Sequence, residues 1–122
     1  MENQDPLTEK IIGCCYKVHN ELWPGFNEKI YHKALLISLK DKGLSYQTEK
    51  EFVVVYGDKK VGSFRLDLII EEQVIVEIKA FASLVPDVFK YQILSYLKVS
   101  GLKVGLIVNF GNKSCWIKRF MV

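Results

Sequence analysis

Two apolar runs, Phe64–Ile70 and Val74–Ala80, are separated by only Glu71-Glu72-Gln73. If the two strands form a hairpin, these three residues make a loop of common length. Alternate side chains of a strand project to opposite faces. The first strand therefore groups Phe64, Leu66, Leu68 and Ile70 on one face, with Arg65, Asp67 and Ile69 on the other. The second groups Val74, Val76 and Ile78 against Ile75, Glu77 and Lys79. Asp67 and Glu77 share a face only in an even-sum register such as 67 opposite 77, and that register leaves the three-residue loop 71–73. The pattern predicts two carboxylates and one ammonium, that of Lys79, on one side of an apolar hairpin.

Such a cluster is costly without a partner. Neighbouring carboxylates repel and raise one another's pKa, and buried charge needs pairing or a metal. A divalent cation removes the repulsion, and Mg²⁺ binds through one or two carboxylates while keeping several waters.

The 122 residues suit one domain spanning 1–122. A formal charge of +3, spread along the chain, permits a nucleic-acid partner without arguing for one. Cys14, Cys15 and Cys115 are odd in number and show no C-x-x-C spacing, which predicts neither a disulfide framework nor a zinc site. The polar start Met1-Glu-Asn-Gln-Asp-Pro6 is unlike a signal peptide. No apolar run reaches membrane-span length. The expectation is a soluble, cytoplasmic protein with no membrane partner.

Leu7, Ile11, Cys15 (or Cys14), Val18 and Leu22 recur at helical spacing, which predicts a helix over about 6–22, capped by Asp5 and ended by Trp23-Pro24-Gly25. A second helix is expected over about 27–42, burying Ile30, Ala34 and Ile37, with Leu35 and Leu36 as further candidates. Strands follow over 48–56, 61–70 and 74–79, then a helix from Pro86-Asp87 to Ser100, a strand over 104–110 and a last strand over 115–121. That third helix should carry Val88, Tyr91, Ile93 or Leu94, Tyr96 and Leu97. The order α-α-β-β-β-α-β-β points to an α/β sandwich with a mixed sheet.

The spacing D-x9-E-x-K (Asp67, Glu77, Lys79) resembles the signature of the PD-(D/E)XK nuclease superfamily. Gly25-Phe-Asn-Glu28-Lys-Ile-Tyr31 is similar to the motif that names the GxxExxY family of small bacterial and archaeal proteins within it. The segment from Tyr91-Gln92 through Tyr96 to Asn109-Phe-Gly111 also resembles that family's C-terminal half. The resemblance implies a restriction-endonuclease-like α-β-β-β-α-β core, a mixed central sheet flanked by helices, with an extra N-terminal helix and a C-terminal strand. It implies a Mg²⁺- or Mn²⁺-dependent nuclease, with Asp67, Glu77 and the Ile78 backbone carbonyl as metal ligands and Glu28 as a further donor. Lys79 would orient the attacking water and stabilise phosphate charge. Glu28 and Gln92 would join the catalytic group, and Tyr31, Tyr96 and Arg65 would line the site.

The expected partner is nucleic acid, DNA in preference to RNA, with a homodimer as one way to grip it. The other reading is a weakly active or inactive module of the same fold that binds nucleic acid or a protein partner. His19 and His32 sit on different helices without a carboxylate-spaced partner, so neither is expected to ligate metal.

Overall fold

In the computed structural model, which describes residues 5–122, the elements follow the order read from the sequence. They are α1 (Pro6–Leu22), α2 (Glu28–Asp41), β1 (Tyr46–Tyr56), β2 (Lys59–Ile70), β3 (Val74–Lys79), α3 (Val88–Ser100), β4 (Val104–Asn109) and β5 (Trp116–Met121). The reading of the chain's start as no signal peptide rests on a stretch whose first four residues lie outside the described residues. No described helix is long and apolar enough to cross a membrane.

The five strands lie in sequence order in one sheet. β1–β2, β2–β3 and β4–β5 pair antiparallel, and β3–β4 pair parallel across the α3 crossover. The core α2-β1-β2-β3-α3-β4, with α1 added before it and β5 after it, is the expected architecture. α1 and α2 cover one face of the sheet, sharing a core with Leu68, Val76, Ile78, Leu106 and Val108. α3 covers the other face through Ile93 and Leu97, which meet Leu66, Ile69, Ile75 and Ile107. Gly105 makes that approach close, because a Cβ there would stand 2.8 Å from the Ile93 side chain.

Local chemistry explains the boundaries. Asp5 accepts the Thr8 N–H at 2.7 Å and Pro6 opens α1; Asn27 accepts the Ile30 N–H to start α2. The hairpin register is the expected even-sum one, with Ile70 opposite Val74 and Leu68 opposite Val76. Its loop holds Glu71 and Glu72 at positive φ. Glu71 is tied down by accepting the Ser45 N–H and hydroxyl at 2.6 and 2.8 Å.

Three expectations fail. α2 buries Tyr31, Leu35, Ser38 and Leu39, while Ile30 and Ile37 are exposed, at 40% and 65%. The helix is turned by about one residue because Tyr31 anchors it, its hydroxyl donating to the Trp23 carbonyl and accepting the Phe26 N–H. Similarly, α3 leaves Val88 and Tyr91 in solvent. In β2 the alternation breaks: Phe64 and Leu66 belong to the α3 side, but Leu68 and Ile70 to the α1–α2 side. The switch falls at Asp67, opposite Glu49, whose φ of 55° is itself irregular.

The helix phase is testable by paired truncation. Leu35→Ala should cost about 2–5 kcal/mol in urea unfolding. Ile37→Ala should stay within about 0.5 kcal/mol of wild type; equal losses would contradict the observed face.

Candidate active site

Asp67 sits where the sheet divides. The β1–β2 pairing skips the Glu49–Asp67 position, and β2–β3 pairing reaches only to Leu68–Val76. Beyond that point β2 continues with β1 as a two-stranded ribbon. Side chains complete the bonding where the ladder stops. The Asp67 N–H donates to Glu77 Oε2 and the Ile78 N–H donates to Asp67 Oδ2, each at 3.2 Å. These reciprocal bonds satisfy buried backbone donors and hold the two carboxylates together.

Glu77 is 94% removed from solvent, its exposure being 6%. Burial, then the negative charge of Asp67, pushes its carboxyl up to about 8, against the opposing Asp67 N–H bond and Lys79 charge. Partial burial and Asp67 also raise Glu28 at the first turn of α2, while Lys79 pulls it down. Burial, then the charges of Glu77 and Asp67, raises the Tyr96 hydroxyl on α3. The charges of Asp67 and Lys79 thus reach Glu28 and Glu77, and those of Glu77 and Asp67 reach Tyr96. The Lys79 ammonium lies 4.1 Å from the Phe89 ring centroid, over its face. Tyr96 stacks on Phe64 with centroids 4.2 Å apart.

The remaining candidates divide. Gln92 is half-buried on α3, one turn before Tyr96. Arg65 is exposed, opposite Glu51 of β1. Tyr31 is fully buried, so it does not line the site. It fixes the Trp23–Phe26 turn that presents Glu28, and Gly25 permits that turn at φ 127°. His19 bonds the Asn112 carbonyl at 2.7 Å and is spent on structure. His32 is different. It lines a groove of about 450 Å³ with Glu28, Lys29, Lys33, Thr48, Glu49, Asp67 and Ile78, and its buried Nε2 has no partner there. The sequence reading missed this, although Glu28 and His32 are four apart and so share a helix face.

The β3 exit is clamped from β4. The fully buried Asn109 accepts the Phe81 N–H at 2.8 Å and donates to the Phe81 carbonyl at 3.1 Å. Gly111 allows this approach, because a Cβ there would lie 2.4 Å from the Phe81 oxygen and 2.5 Å from the Ala80 carbonyl carbon. The clamp fixes the backbone immediately after Lys79. The cysteines are free, and burial raises Cys15 well above the ordinary thiol range and Cys115 to about 12. Those two are poor nucleophiles.

Among the described residues no three His, Cys, Asp or Glu side chains converge as a metal cage. Two adjacent carboxylates, each with one oxygen in the bonds above, instead fit a hard divalent ion that keeps several waters. The repulsion that raises Glu77 is the charge such an ion would offset.

A family model for the PD-(D/E)XK nuclease superfamily matches residues 5–120. No curated protein matches the chain. Among solved structures, the crystal structure of SSO0001 is similar, with a TM-score of 0.63 and 25% identity over 76% of this chain. The match covers 48% of that protein, so the chain spans about half its length.

Gly111→Ala should destabilise by at least about 1–3 kcal/mol, since the obstacle is backbone, and a melt within 1 °C of wild type would contradict the clamp. The Glu77 carboxyl gives a pH test. Unfolded it titrates near 4.5 and folded near 8, so between those values the folded state keeps a proton that the unfolded state has released. Its contribution is therefore full below the lower value and is lost as pH rises through the higher one. In EDTA, melting temperature should fall from pH 5 to 8, and Glu77→Gln should flatten that fall. An unchanged slope in the variant would assign it to other groups.

Proposed function

The chain belongs to the PD-(D/E)XK nuclease superfamily, and we propose that it is a divalent-metal-dependent phosphodiesterase acting on DNA in preference to RNA, with residues 1–122 as one catalytic domain. The observation that carries this reading is the hydrogen-bonded Asp67–Glu77 pair at the division of the sheet, with Lys79 two residues on. Superfamily members are in general nucleases that use divalent metal ions. The Gly25–Tyr31 segment supports placing the chain in the GxxExxY family.

In this reading Asp67 and Glu77 would hold Mg²⁺ or Mn²⁺, with the Ile78 backbone carbonyl and Glu28 as further donors. When bound, the ion supplies a Lewis acid toward the phosphate and lowers the pKa of water. The bonds to the Asp67 and Ile78 N–H groups hold the two carboxylates in place for it. Lys79, held over Phe89 rather than loose in solvent, meets the charge that develops on the scissile phosphate and orients the attacking water. Lys29 and Lys33 line the groove beside Asp67 and give the flanking phosphates cationic contacts. Tyr96 and Gln92 approach from α3.

Labelled single-stranded, duplex and junction DNA and RNA should be cleaved by wild type in Mg²⁺ or Mn²⁺ and not in EDTA. Asp67→Ala and Lys79→Ala should each lose at least about a hundredfold in rate, the scale of removing one charge-stabilising group. Mn²⁺ at a hundred times its Kd should stabilise the wild type by about 2.7 kcal/mol and Asp67→Ala much less. Binding of nucleic acid without cleavage by wild type would favour the binding-module reading instead.

A further inference from the structure

The strand register extends the site beyond Lys79. β3 and β4 pair Lys79 with Asn109, and β4 and β5 pair Asn109 with Trp116. Paired residues project to the same face of a sheet, so these three side chains form a row on the α3 side, where Trp116 joins the core beneath α3. Over the Asn109–Trp116 end of the row lies a cavity of about 200 Å³. Leu84, from the β3–α3 connection, forms another wall, Asn112 contributes an amide, and Lys90 stands at the side.

We propose that this cavity receives one nucleobase of the strand whose phosphate is cleaved at Asp67, Glu77 and Lys79; the proposal rests on the nuclease reading above. Its chemistry suits a base. Trp116 offers an aromatic surface for stacking, which every base can use, and Leu84 an apolar one. Asn112 Nδ2 donates to the Ser83 carbonyl at 3.1 Å, which orients its Oδ1 as an acceptor for a base edge. Asn109 commits its amide to Phe81 and Gly111 and serves as the floor. The volume lies below that of pockets for drug-sized ligands and matches a single ring system. Neighbouring strands are about 4.8 Å apart, so Trp116 lies roughly 10 Å across the sheet from Lys79. One nucleotide spans that distance from its phosphate to the far edge of its base. Lys90 and Asp87, both in the cavity wall, pair at 3.1 Å, so together they bring no net charge to it.

A base in this cavity has left its stack. The preferred substrate is therefore single-stranded or frayed, since extraction from a duplex costs a few kcal/mol.

The chain has two tryptophans, so Trp23→Phe leaves Trp116 as the sole indole reporter. In that background, with Asp67→Asn to prevent cleavage, short single-stranded DNA should quench Trp116 fluorescence. The same strand made abasic throughout should not, and blunt duplex should quench at least tenfold more weakly by concentration. Equal quenching by intact and abasic strands, or binding by anisotropy without quenching, overturns the proposal. In the cleaving protein, Leu84→Glu changes a side chain that is 87% exposed, so folding is not at stake. It should lower kcat/KM on single strands at least tenfold with an unchanged melting temperature, and Trp116→Phe should retain more activity than Trp116→Ala. If wild type cleaves and both Leu84→Glu and Trp116→Ala cleave equally well, the base site is overturned and the nuclease reading stands. If wild type cleaves nothing, the nuclease reading fails, and the intact-against-abasic comparison alone decides whether the cavity takes a base.

Discussion

The site depends on a place where the sheet stops pairing with itself. At Asp67 the β2 ladder toward β3 ends and the ladder toward β1 skips a position. An interrupted ladder leaves backbone N–H groups that must find acceptors, and here the acceptors are the Asp67 and Glu77 carboxylates. The same bonds that repair the interruption bring two carboxyl groups into a region mostly closed to water. Structure and chemistry are thus coupled in one interaction. Replacing either acid would leave a donor unsatisfied as well as remove a charge.

Two further fixtures hold the surroundings in place. On one side, Tyr31 stacks on Phe110 with centroids 4.8 Å apart and bonds the turn that presents Glu28. On the other, Asn109 and Gly111 grip the chain just past Lys79. Phe110, fully buried, follows Asn109 in sequence and stacks on Tyr31, so it links the two fixtures. The helix carrying Glu28 and the strand carrying Lys79 are therefore braced against the same aromatic residue. The motif residues Gly25, Tyr31, Asn109 and Gly111 act on the geometry of the charged groups, at one remove from any substrate.

Much of this was legible in the sequence. The short loop between two apolar strands set the hairpin register, and charged residues at fixed parity marked the acids. The helix faces were less legible. Ile30 and Ile37 fit a helical stripe as well as Leu35 and Leu39 do, and hydrophobicity alone cannot rank two stripes about one residue apart. A tyrosine hydroxyl bonded to a turn decided between them. The alternation rule failed at Asp67 because it assumes an unbroken ladder, and the irregular Glu49 backbone carries no sequence mark. His32 was set aside as lacking a carboxylate-spaced partner, although Glu28 lies four residues before it. Its unpartnered nitrogen becomes visible once α2 and β1 are seen to bound one groove.

The placement of Lys79 explains why the acids remain uncompensated. An ammonium in direct contact with Glu77 would hold that carboxyl ionised and neutralise half of the pair. Here the ammonium is held over the Phe89 ring, where the ring's electron-rich face stabilises it without cancelling its charge. Its field still lowers Glu77, but burial and Asp67 outweigh it. The result is a separation of opposite charges within one small site. A divalent ion that displaces the Glu77 proton would engage both carboxylates, and the lysine keeps a positive charge available to a phosphate. A tight internal ion pair would spend both at once, leaving a stable sheet edge with little to offer either group.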